Sequence, residues 1–215
     1  MSMREQIVDA AERVIRELGL ARCTTKEIAE AAACSEGTIY RHFRSKEDVF
    51  LAVLAERLPG LLPVLRTLPE QVGGEAEVRA TLQQVAEEAL AFYRESMPML
   101  LSVFAEPKLL DRHREWMRAN NAGPHRAAEL LADYLRRAQR AELVSPDADP
   151  VAAAQLLLGA CYLAAYGGVF AAPAAGPAGG PGGPEARREA EAFVRQLWRT
   201  LAPAPAPAPS RSRKR

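Results

Sequence analysis

Thr24-Thr25-Lys26-Glu27-Ile28-Ala29-Glu30-Ala31-Ala32-Ala33-Cys34-Ser35-Glu36-Gly37-Thr38-Ile39-Tyr40-Arg41-His42-Phe43 is the stretch that decides the fold. Thr24, with Glu27 three residues on, makes a capping box and opens a short helix through Ala32. Ser35 caps a second helix, Glu36 to Phe43, and Ser45 a further one with Glu47 and Asp48 in its first turn, where carboxylates suit the helix dipole. Two short capped helices joined by the turn Ala33-Cys34-Ser35 predict a helix-turn-helix. Ala29 is small enough for the second helix to cross close above it, and Ile28, Ile39 and Phe43 are placed to form the core between the two. The second helix is then left to expose Glu36, Gly37, Thr38, Tyr40, Arg41 and His42, with Tyr40 expected to bury its ring and send out its hydroxyl. A hydroxyl, a guanidinium, an imidazole and a phenol on one short helix are groups that meet phosphates and base edges in a major groove.

Outward from this stretch every pattern is helical. Ile7, Val8, Ala11, Val14, Ile15 and Leu18 share one face of a helix that stops at Gly19. The helix after Ser45 carries the stripe Val49, Phe50, Val53, Leu54 and Leu58, followed by Pro59-Gly60. A Pro/Gly-marked connection leads to a helix from about 75 to 96. Pro98 and then Pro107 are expected to start new segments, and Pro124 suits the first turn of a helix to about 141. Pro150 opens an apolar helix, and 185–201 forms the last one, with Phe193, Leu197 and Trp198 on its apolar face. Between them, 173–184 is a Gly/Pro linker. No strand-like alternation and no internal repeat appears. The fold class is all-α, with about nine helices.

With Ser45-Lys46 added, the pattern S-x-G-T-x-Y-x-H-F-x-S-K over residues 35–46 resembles the DNA-binding domain of TetR-family transcriptional regulators, over about residues 4 to 58. The resemblance implies a three-helix N-terminal DNA-binding domain, residues 1–47, and a helical effector-binding and dimerisation domain, residues 48–201. Residues 202–215 make a disordered Ala-Pro tail with a basic end. It also implies that Thr25 and Lys26 meet DNA at the start of the first motif helix. Glu36, Gly37, Thr38 and His42 would lie along the recognition helix, Tyr40 on a phosphate, and Lys46 on the backbone. Arg41 stands where the family varies and is a candidate for reading a guanine. Position 33, usually Gly in the family, is Ala here; if its φ is positive, Ala33→Gly should be neutral or stabilising.

A formal charge of +1 excludes a generally sticky basic protein. Arg211, Arg213, Lys214 and Arg215 put +4 in the tail, so the rest of the chain is mildly acidic and its basic surface must be local. Cys23, Cys34 and Cys161 make no C-x-x-C pair and no disulfide framework, and the N-terminus lacks a signal-peptide pattern, so a cytoplasmic protein is expected. Val151–Ala172 is long enough to cross a bilayer, but it is rich in Ala and Gly and has no flanking Lys or Arg, which favours a buried or dimer-forming helix over a membrane span. Ala160, Ala164, Phe193, Leu197 and Trp198 are the candidate homodimer residues. Phe92, Tyr93, Met97, Phe104, Trp116, Tyr134, Tyr162 and Tyr166 are the candidate lining for a small apolar or aromatic effector. No P-loop, H-E-x-x-H or G-x-S-x-G occurs, so no enzyme activity, cofactor or metal is expected. The expected function is a ligand-responsive repressor that binds a palindromic DNA operator as a homodimer.

Overall fold

Side-chain hydroxyls set the starts of the first four helices. Ser2 and Glu5 form a capping box on α1 (Met3–Leu18), and Thr24 and Glu27 form another on α2 (Thr25–Ala31). Ser35 accepts from the Thr38 N–H to open α3 (Glu36–His42), and Ser45 accepts from the Asp48 N–H to open α4 (Lys46–Glu56). Each such cap is worth about 1 kcal/mol, which matters for helices as short as α2 and α3 that are marginal alone. The remaining helices are α5 (Leu61–Arg66), α6 (Glu75–Ala105), α7 (Pro107–Ala119), α8 (Pro124–Arg140), α9 (Pro150–Phe170) and α10 (Pro184–Leu201). This computed structural model describes residues 1–20, 22–57, 60–170 and 183–203, and among these there is no strand. Leu58, most of the expected linker and nearly all of the expected tail lie outside them.

Two details depart from the pattern read in the sequence. A short helix, α5, forms in the connection after Gly60, burying Leu61 and Leu65. Pro98 starts no new segment; α6 runs through it. A proline there gives no N–H to the Arg94 carbonyl and costs about 3 kcal/mol. Met97, Met99 and Val103, buried on either side of it, offset that cost, since each large side chain taken from water returns roughly 1.5–3 kcal/mol.

The turn after α2 is a Schellman cap. The Cys34 N–H donates to the Ala29 carbonyl at 2.9 Å and the Ala33 N–H to the Glu30 carbonyl at 3.2 Å, with Ala33 at φ 51°. Ala33→Gly is therefore expected to stabilise the protein by up to about 1 kcal/mol, a rise of roughly 2–4 °C in a thermal melt. A lower melting temperature would mean that the turn is held some other way. Glu142, at φ 59° in the same motif after α8, is a second site where glycine should do the same.

Two hydrophobic cores organise the chain. The N-terminal core joins α1 to α4 through Ile7, Val8, Ile28, Ile39, Val49, Phe50 and their neighbours. It extends past residue 47 to Val53 in the middle of α4, and it also takes in Met99 and Val103 from α6 and Leu109 from α7. The larger core lies among α5, α6, α8, α9 and α10, with Leu82, Leu90, Leu131, Leu135 and Leu157 at its centre. The end of α6 and the start of α7 thus belong to the small core while the body of α6 belongs to the large one.

Candidate nucleic-acid interface

Ile39 is fully buried, and together with Ile28, Ala29 and Phe43 it clamps α3 across α2. This leaves Glu36, Gly37, Tyr40, Arg41 and His42 exposed on α3, with Lys26 and Arg44 exposed beside them. The Tyr40 ring is 54% exposed, so it does not bury its body as the sequence suggested; Ile39 and Phe43 fill that space instead. Thr38 is half-buried, its hydroxyl 2.9 Å from that of Ser35. Thr25, also half-buried, donates from its hydroxyl to a Glu36 carboxylate oxygen at 2.6 Å, tying the start of α2 to the start of α3. Gly37 is open: a Cβ added there would meet only the Ser35 hydroxyl, at 3.7 Å.

Lys46 is placed differently from a free surface lysine. Its ammonium donates to the Leu20 carbonyl at 3.1 Å, pinning the α1–α2 connection to the start of α4. Two of its three N–H bonds remain for an outside acceptor. The Cys23 thiol, buried in the same connection, has its pKa pushed up by burial.

Outward-facing Lys26, Arg41, His42 and Arg44, a phenol and hydroxyls therefore share one surface, with Glu36 its one acid on α3. Positive and hydrogen-bonding groups on a rigid short helix are what direct readout of duplex DNA requires. Comparison with known proteins agrees. Residues 7–53 match the family described as bacterial regulatory proteins, tetR family. Over those residues the chain carries a TetR-family domain. Among curated TetR-like regulators, the nicotine-responsive transcriptional repressor HdnoR of Paenarthrobacter nicotinovorans is 34% identical over 84 residues, 39% of this chain and 42% of that one. The chain spans less than half the length of the first curated relatives it matches. Two solved structures share the fold over nearly the whole chain. Salmonella enterica GusR has a TM-score of 0.65 at 24% identity, covering 93% of this chain and 95% of its own. The triclosan complex of SmeT, a repressor from Stenotrophomonas maltophilia, has a TM-score of 0.65 at 22% identity, covering 98% and 100%.

The expected effector residues separate into groups. Phe92 and Tyr93 of α6 continue into Tyr162 and Tyr166 of α9, with ring centroids 5.2, 5.5 and 6.4 Å apart, and Phe170 extends the row by 5.1 Å. Burial pushes the Tyr93 hydroxyl up to about 12, so it stays neutral. Of the others, Phe104, Trp116 and Tyr134 make no ring pair with this row. Met97 is fully buried, Phe104 is exposed near the end of α6, and Tyr134 is sealed in the large core with Arg137 over its ring. Trp116 lies against the N-terminal core, parallel to His113, whose pKa burial lowers. Two surface concavities, one beside Arg137 and Arg140 and one beside Lys108 and Arg112, are lined by none of these residues.

Of the expected dimer residues, Ala160, Ala164 and Phe193 are partly exposed, whereas Leu197 and Trp198 are buried within the chain, Trp198 under the Arg79 guanidinium. The outward surface of α9 is apolar instead: Leu156 and Leu163 are each 66% exposed and Phe170 72%. This helix is long and apolar enough to cross a membrane. Among the described residues no group of His, Cys, Asp and Glu is placed to hold a metal ion.

Two ionic ties between the domains carry no signal in local sequence. Arg16 of α1 pairs with Glu95 of α6 at 3.0 Å, 79 positions away. Arg112 of α7 reaches Asp48 at 3.2 Å and donates to the Ser45 hydroxyl at 3.3 Å, gripping the cap of α4 across 67 positions.

Proposed function

We propose that this TetR-family chain is a cytoplasmic, homodimeric repressor that reads a palindromic operator and is released by a small apolar or aromatic effector. The observation that carries the proposal is the outward surface of α3, where Arg41, His42, Tyr40 and Gly37 make no packing contact that would explain them. On this reading Thr25, Lys26, Glu36, Gly37, Thr38, Tyr40, Arg41, His42 and Lys46 form the contact surface, and Lys46 gives one bond to Leu20 and the rest to phosphate.

The exposed face of α9 supports the dimer. Leu156, Leu163 and Phe170 recur every seven residues, with Gly159 and Gly167 between them allowing a second helix close approach. Two copies of α9 and α10 would form a four-helix bundle. A twofold dimer then sets the recognition helices in successive major grooves, roughly 34–36 Å apart.

The row Phe92, Tyr93, Tyr162 and Tyr166 offers stacking surfaces to an aromatic effector. Effectors of that apolar kind fit a family whose members include a nicotine-responsive repressor and a protein in complex with triclosan. From this row the path to DNA runs down α6 to Met99 and Val103 in the N-terminal core, and across α7 to Arg112 on the cap of α4. An effector that prefers one position of α6 and α7 moves α4, and with it the spacing of the recognition helices. Linkage requires operator and effector to weaken each other by the same factor, commonly about 5–150-fold. A calorimetric titration of the effector with and without operator tests this; equal affinities would rule the coupling out.

A further inference from the structure

The geometry points to Glu36 as the base-selecting acceptor of the recognition helix, specific for cytosine, with Thr25 as the residue that positions it. This rests on the reading of α3 as the helix that enters the major groove. Glu36 is the one acid in α3, whose outward neighbours are Gly37, Tyr40, Arg41 and His42. A carboxylate facing DNA is repelled by the phosphates and gains only where it meets a donor. The Thr25 hydroxyl, 2.6 Å from one Glu36 oxygen, belongs to α2, eleven positions earlier. A first-turn glutamate that merely favoured its own helix would need no partner on another one. The bond fixes the carboxylate and leaves its second oxygen free to accept.

The chemistry of base edges then chooses the partner. In the major groove guanine offers N7 and O6 and thymine offers O4, all acceptors that repel a carboxylate. Adenine presents a donor at N6 beside an acceptor at N7, whereas cytosine presents the N4 amino group alone. A carboxylate held as Glu36 is therefore selects cytosine, at one position in each half-site. Through this bond the Thr25 hydroxyl acts on sequence choice.

Selection of bound duplexes from a random library tests this with the full chain, comparing wild type, Glu36→Ala, Glu36→Gln and Thr25→Val, each first checked for unchanged helicity and melting. The wild type should enrich a palindrome with one cytosine-preferring position per half-site, favoured on the order of tenfold. Glu36→Ala should flatten that position and leave the others intact. Glu36→Gln should turn the preference toward adenine, which an amide can meet at both N6 and N7. Thr25→Val should flatten the same position, whatever it does to overall affinity. The inference is overturned if Glu36→Ala leaves every position as it was, or alters one that does not prefer cytosine. The positioning role of Thr25 is overturned if its valine variant weakens all sequences equally, as loss of a phosphate contact would. If the wild type enriches no duplex at all, the DNA-reading assignment of α3 fails first, an outcome separable from the others.

Discussion

Leu163→Glu is expected to turn the proposed dimer into a folded monomer and to weaken operator binding by a factor on the order of 10²–10⁴, the avidity lost when two reading heads are no longer joined. Leu163 sits between Leu156 and Phe170 on the outward face of α9 and is 66% exposed, so its side chain contributes little to the protomer's own core. The opposite side of α9, through Ala154, Leu157, Leu158 and Cys161, holds the helix on α6 and α8 and is untouched by the change. In a twofold interface the glutamate enters twice, once from each protomer, so two carboxylates would be desolvated together. Sedimentation should show half the wild-type mass with circular dichroism unchanged. A variant that remains dimeric would move the interface away from this face. Partition of the wild type into detergent-extracted membranes would instead assign the apolar face to lipid.

Gly37→Ala separates folding from DNA binding more sharply than any other single change. The added methyl meets only the Ser35 hydroxyl, at 3.7 Å, an ordinary contact. Alanine is favoured over glycine within helices by up to about 1 kcal/mol, so the variant should melt at the same temperature or higher. A glycine that forgoes this stability and relieves no internal clash makes sense where another molecule's surface comes close to the backbone. Operator affinity should therefore fall on the order of tenfold, about 1.4 kcal/mol, in the variant that folds better. Gly37→Ala binding operator as well as wild type would place the DNA farther from the start of α3.

Local chemistry made α2, α3 and α4 legible. A hydroxyl three residues before a backbone N–H or a carboxylate is a short-range device, and Thr24 with Glu27, Ser35 with Thr38 and Ser45 with Asp48 behave alike in sequence and in space. Ala33 was legible for the same reason, since a tight turn between two caps has few ways to be built. Pro98 was not, because the burial of Met97, Met99 and Val103 on either side of it in α6 outweighs a local preference. The apolar stripe of α10 shows that a face is buried but not by whom, and Leu197 and Trp198 turn out to pack within the chain. In the candidate site the outward residues of α3 could be read directly from helical spacing. The Thr25–Glu36 bond, the tether of Lys46 to Leu20 and the grip of Arg112 on the α4 cap all join residues that only tertiary structure brings together.

The central claim is that α3, doubled by a twofold axis, reads a specific palindrome. The most direct test is a salt-resolved anisotropy titration of the full chain on a palindrome recovered by footprinting its neighbouring intergenic DNA, against a scrambled duplex. The claim predicts two protomers per palindrome and a preference over scrambled DNA of 10³-fold or more, with affinity falling steeply as salt rises. Equal affinity for the two duplexes at every salt concentration would contradict it.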